Sequence, residues 1–120
     1  ERTKLVMATS NTTIDQLNEA AQKTALETFA KFYLSRFFGD GLDVFSQLDE
    51  QGDLADINHY LLDNRTLTRE ELTSGLLTHR SGNLLDLLKQ VNVTFNAQGA
   101  PETPWAKWYA DQIEGLPQGL

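Results

Sequence analysis

Between residues 13 and 38 the chain reads TIDQLNEAAQKTALETFAKFYLSRFF, its longest uninterrupted stretch of helical sequence. At about 100° per residue, Ile14, Leu17, Ala21, Ala25, Phe29 and Phe32 fall on one side. Glu19, Lys23, Glu27 and Lys31 run down the other at i, i+4 spacing, the arrangement of a solvated charged stripe. From Phe29 onward, Phe32, Tyr33, Leu34, Phe37 and Phe38 spread apolar surface nearly around the axis, so this end should be enclosed by other segments or by another protein. Thr12 or Thr13 is the expected cap, Asp15 favours the positive end of the dipole, and Gly39-Asp40-Gly41 stops the helix.

After the glycine turn, Leu42, Val44, Phe45 and Leu48 predict a short helix. Asp53 is expected to cap another that carries Leu54, Ile57, Tyr60, Leu61 and Leu62. Thr68 with Glu71 forms a capping box for a helix over 69–78, which His79-Arg80-Ser81-Gly82-Asn83 should break. Leu84, Leu85, Leu87, Leu88 and Val91 predict the next helical turns. Val91 to Phe95 then changes period from 3.6 to 2, with Val91, Val93 and Phe95 on one face, as in a half-buried strand. Its most plausible mate within the chain is Leu5 to Ala8; left unpaired, its edge would be open to strand addition by another protein. Thr103-Pro104 opens a last helix over 105–114, where Trp105, Trp108, Tyr109 and Ile113 share a face.

The expectation is a mainly α fold: a compact single domain of four to six helices around a central helix over 13–38, with at most one short β pair. Residues 1–12 and 116–120 are expected to be flexible ends. The first residue is Glu1 rather than Met, which suggests that an upstream segment has been removed, and an exported or periplasmic setting is favoured over a cytoplasmic one. No apolar run approaches the length needed to cross a bilayer.

Composition changes this picture mainly by exclusion. With 10 Lys and Arg against 17 Asp and Glu, the net charge is −7, and the basic residues form no run, so a nucleic-acid partner is not expected. The absence of cysteine removes disulfides, thiolate nucleophiles and Cys-type zinc sites. The acids Asp40, Asp43, Asp49, Glu50, Asp53 and Asp56 bracket glycines, but in no register do they supply an EF-hand ligand set. They are better read as caps and solvated loop charges. His59 and His79 belong to no metal-ligand spacing, so a hydrolase using either with an acid is the weakest hypothesis, and neither a cofactor nor a metal is expected. The three Asn-x-Thr sequons, at Asn11, Asn64 and Asn92, are attributed to chance in a chain rich in both residues.

What remains points to a noncatalytic protein-protein interaction or assembly module of a larger exported or membrane-associated system, acting on another protein or a second copy of itself. The candidate partner or ligand residues are Tyr33, Arg36, Phe37, Phe38, Val93, Phe95, Trp105, Trp108 and Tyr109. The alternative is a small-molecule sensing domain with a pocket between the aromatic end of the long helix and the Trp helix. For Arg36, a structural bridge to Asp40 or Asp43 is preferred over anion binding, because a buried unpaired charge is costly.

Overall fold

The computed structural model describes residues 12–39, 41–91 and 93–115. Among these are a two-residue strand β1 (Thr12–Thr13), a 3-10 turn (Ile14–Gln16) and six α-helices: α1 (Glu19–Phe38), α2 (Asp43–Leu48), α3 (Asp53–Asp63), α4 (Arg69–His79), α5 (Ser81–Val91) and α6 (Trp105–Gly115). A second two-residue strand, β2 (Thr94–Phe95), lies between α5 and α6. The fold is therefore mainly α with one short antiparallel β pair, as the pattern of apolar positions requires.

The long helix begins later than its periodicity suggests. Ile14 is buried in phase with α1, but Leu17 has extended backbone (φ −76°, ψ 150°), so the first apolar turn is a separate 3-10 element. Thr13 and Gln16 form its capping box, and Asn18 starts α1 by accepting the Ala21 N–H at 2.8 Å. At the far end Gly41 adopts φ 101° and donates its N–H to the Arg36 carbonyl at 2.9 Å, which terminates α1 in the glycine turn.

The α3 cap is also displaced. Gly52, at φ 85°, occupies the cap position, and the Asp49 carboxylate accepts N–H bonds from Gln51, Gly52, Asp53 and Leu54 at 2.9–3.2 Å. Asp53, the expected cap, is the first helical residue. The Thr68–Glu71 box caps α4 as read from the sequence, whereas the expected break after it shrinks to Arg80, since Gly82 and Asn83 lie within α5. In α6 the Pro104 carbonyl accepts the Trp108 N–H at 2.9 Å, and Ile113 is 41% exposed instead of sharing the buried face.

The strand is shorter than 91–95 because α5 runs on to Val91. Thr94 and Phe95 pair antiparallel with Thr13 and Thr12, not with Leu5 to Ala8, which lie outside the described residues. The alternation was still informative, since Val91, Val93 and Phe95 are all buried. After β2 the chain turns on Asn96, whose side-chain oxygen accepts the Gln98 and Ala100 N–H groups at 2.9 and 3.1 Å.

α1 is the axis. α4, α5 and α6 pack against it, Phe45 of α2 meets its rings at Phe29 and Phe32, and α3 packs on α4 and α5. The core joins Phe29, Ala30, Tyr33 and Leu34 of α1 to Phe45, Ile57, Leu61, Leu72, Leu76, Leu84, Leu88 and Phe95. No helix among the described residues is long and apolar enough to cross a membrane.

Gly99 fixes the 96–100 turn against α1. Its φ is 90°, and a Cβ there would lie 2.1 Å from the Ala21 carbonyl oxygen. Replacing Gly99 by Ala should cost several kcal/mol, through backbone strain and displacement of the turn, whereas Gly82→Ala, with open space around its Cβ, should be neutral or mildly stabilising. Urea titration of the two variants measures the contrast.

Candidate functional site

Two constellations stand out: an aromatic cluster where α1, α2 and α6 meet, and a carboxylate-amide cluster between α3 and α5. The first contains most of the residues singled out from the sequence. Tyr33 is fully buried, stacks on Phe45 at 5.6 Å and donates its hydroxyl to Asn58 Oδ1 at 2.6 Å. Burial pushes the Tyr33 hydroxyl above the usual tyrosine range, so it is held as a donor. Trp105 stacks on Phe32 at 6.0 Å, meets Phe29 at 5.1 Å and Phe95 at 6.0 Å, and directs its indole N–H to Thr28 Oγ1 at 3.4 Å. Trp108 is half-buried against Phe45, and Val93 is buried beside the same core.

Tyr109 is buried and does more than fill space. Its hydroxyl accepts the Val44 N–H at 3.0 Å and donates to the Gly41 carbonyl at 3.2 Å. Val44 is in the first turn of α2, where N–H groups have no helical acceptor, so a side chain 65 residues away caps that helix. Arg36 covers the ring, with its guanidinium carbon 4.0 Å from the ring centroid, and Nε donates to the same Gly41 carbonyl at 3.2 Å. The bridge expected to Asp40 falls on a position outside the described residues.

The ring contacts fill the space between the C-terminal half of α1 and α6, where the sequence had suggested a ligand pocket. Clefts flanking α1 open elsewhere. One of about 570 Å³ is lined by Glu19, Ala20, Gln22, Lys23, Leu26 and Leu77, and one of about 550 Å³ by Glu27, Lys31, Arg69, Glu70, Thr73 and Ser74. Both lie along the seam of α1 with α4. Of the nine singled-out side chains, Phe38 is the one that is substantially exposed, at 41%; the Arg69 guanidinium sits 4.6 Å above its ring centroid and Phe37 meets it edge-on at 5.1 Å.

The second constellation was not anticipated. Asp53 is 6% exposed, and its carboxylate accepts from Asn83 at 2.9 Å and from Gln90 at 2.9 Å. Gln90 also donates to Asp86 at 3.2 Å and Asp49 at 3.4 Å, while its side-chain oxygen accepts the Glu50 N–H. Asn83, Asp86 and Gln90 share one face of α5 at i, i+3, i+7, a polar stripe beside a leucine face that the sequence did display. Burial, and then a hydrogen bond with the neighbouring Asp86 carboxyl, push Asp53 up to about 6. For Asp49 burial pulls upward, but the N–H bonds from Leu54, Gln51 and Asp53 outweigh it and hold the group below the usual carboxylate range. Among the described residues no group of three or more His, Asp or Glu is arranged to hold a metal ion.

The two histidines lie on exposed helix surface. His59 is 3.1 Å from Asp63 one turn on, with the His side chain 73% exposed, and His79 packs against the Tyr60 ring at 5.9 Å. The side-chain nitrogen of Asn64, the acceptor atom of one sequon, donates to the Tyr60 carbonyl at 2.8 Å. No family model, curated protein or solved structure matches the chain.

Two expectations follow. Tyr109→Phe keeps the ring packing but leaves the Val44 N–H without its acceptor, so it should cost about 1–3 kcal/mol in thermal or urea unfolding. The carboxylates set opposing pH limbs. Because Asp53 binds its proton more tightly when folded, its contribution is greatest below about pH 4 and is lost as pH rises through about 6. Asp49 acts the other way, contributing above its unfolded value and losing that as pH falls through its lowered folded value. Stability should therefore rise by about 1–2 kcal/mol from pH 7.5 to pH 5 and fall in stronger acid, and Asp53→Asn should flatten the first limb.

Proposed function

We propose that this chain is a noncatalytic protein-interaction module, presenting to its partner the end formed by the C-terminus of α1 and the link between α3 and α4. The observation that carries this reading is the distribution of exposed apolar surface. Four large apolar side chains are exposed among the described residues: Phe38, at 41%, ends α1, Leu67, at 36%, lies in the link between α3 and α4, Leu62, at 54%, lies in the last turn of α3 just before that link, and the fourth is Ile113. Twenty-one apolar residues are buried among those described, an ample core into which to withdraw such groups, and leaving them in water favours a role at an interface.

The chemistry of the end supports the same reading. An exposed aromatic ring with an arginine over it has the composition enriched at the centres of protein interfaces. The remaining aromatics of the long helix are consumed by internal packing, which accounts for their number without a ligand.

Photo-crosslinking in the native cells tests the proposal. A photoreactive residue at position 38 or 67 should give an adduct of defined protein mass, and one at the exposed Asp111 of α6 should not. Equal labelling at all three positions, or none at 38 and 67, would contradict the reading.

A further inference from the structure

The face of α1 that looks away from the core carries a pattern that an arbitrary partner would not require. Ala20, Glu27, Lys31 and Phe38 are all exposed, and their spacings of 7, 4 and 7 residues keep them within about 20° of one line along the helix. The spacing is palindromic. A two-fold axis passing opposite residue 29 brings Glu27 against Lys31 of the partner subunit and Phe38 against the partner's Ala20. Each position thus meets its complement, acid against base and large against small. The flanking Lys23 falls opposite Ser35, so the symmetry sets no like-charged positions of α1 directly opposite one another; Arg69, carried with Phe38, enters a cleft lined by both Glu19 and Lys23.

The surroundings fit. Ala20 sits in the open cleft of about 570 Å³ whose apolar lining is Leu26 and Leu77, a recess suited to an aromatic ring. Phe38 is backed by Arg69 and Phe37 and is 41% exposed. At the centre, the second cleft lies beside Glu27 and Lys31 and adds Glu70, a further acid for the partner's Lys31. Within one copy Lys31 and Glu27 are only loosely paired, at 3.7 Å with side chains 64% and 48% exposed, so they can exchange partners at little cost.

We infer that the surface is completed by a second copy of this chain, in an isologous dimer whose two α1 helices lie antiparallel and whose Phe38 rings each enter the partner's Ala20 cleft. The inference rests on the interaction reading above in taking Phe38 as an interface residue. A register shifted to an axis opposite residue 25 would pair Glu19 with Lys31 and Lys23 with Glu27, but it strands Phe38 in water. Exposed ion pairs contribute little and aromatic burial contributes much, which selects the register centred on residue 29.

Sedimentation of the full chain in about 0.15 M salt, where repulsion between two acidic copies is screened, tests this. The wild-type chain should dimerise with concentration, and Phe38→Asp should weaken the dimer by at least about tenfold. Glu27→Lys and Lys31→Glu should each be monomeric alone, because each sets like charges across the axis, and an equimolar mixture of the two should regain the dimer. Helical circular dichroism equal to wild type verifies that these surface variants fold. A wild-type chain that stays monomeric to several hundred micromolar, or a dimer indifferent to all three changes, overturns the inference. If crosslinks at position 38 persist in that case, the interaction reading survives with a different protein as partner; if they too are missing, both fall.

Discussion

The packing of Phe45 is the contact on which the rest of the structure depends. It comes from a six-residue helix too short to be stable alone, yet its ring meets those of Phe29, Phe32, Tyr33, Trp108 and Tyr109 at centroid distances of 5.2–6.3 Å. Because these rings belong to α1 and α6, one side chain joins the helix at the centre to the helix at the C-terminus. The favoured edge-on and offset geometries add to the area buried, and the Tyr109 hydroxyl supplies the backbone acceptor that α2 lacks. The aromatic surplus of the long helix is thereby explained as the means of fixing a short helix and a late one onto it.

A polar counterpart operates on the other side of α2. The Asp49 carboxylate immediately after that helix caps α3, and Gln90 of α5 reaches Asp49, Asp53 and Asp86 together. Three carboxylates around one amide repel one another when all are ionised, and burial, together with this repulsion, raises the proton affinity of Asp53. The junction of α2, α3 and α5 is specified by hydrogen bonding, where the junction of α1, α2 and α6 is specified by ring packing.

How much of this was legible depended on range. The Thr68–Glu71 box, the Gly39–Gly41 stop and the charged stripe of α1 are local, and their chemistry is complete within a few residues. The start of α1 differs from the expectation because Ile14 and Leu17 keep helical phase while the backbone does not, and Asn18, rather than Thr12 or Thr13, caps the helix. The cap of α3 was assigned to the nearest acid, Asp53, since nothing in the order of residues says that Asp49 folds back over a left-handed Gly52. The partners of Tyr109 and of Gln90 lie 65 and 40 residues away and could be known only from the fold. Of the aromatic candidates, sequence could establish that they were too many for one helix face, but not that Phe45, Trp105 and Tyr109 would enclose Phe29, Phe32 and Tyr33 while Phe38 stays exposed.

The central claim is that the aromatic cluster makes α1, α2 and α6 one cooperative unit. Native-state hydrogen exchange of the Val44 and Tyr109 amides, against that of Phe29 in the middle of α1, addresses it most directly. A common opening free energy for all three, falling together as urea is added, is the result the account predicts. Exchange at Tyr109 and Val44 that is fast while Phe29 stays protected would contradict it, for α6 would then be an appendage and α2 would lack the support inferred from its rings.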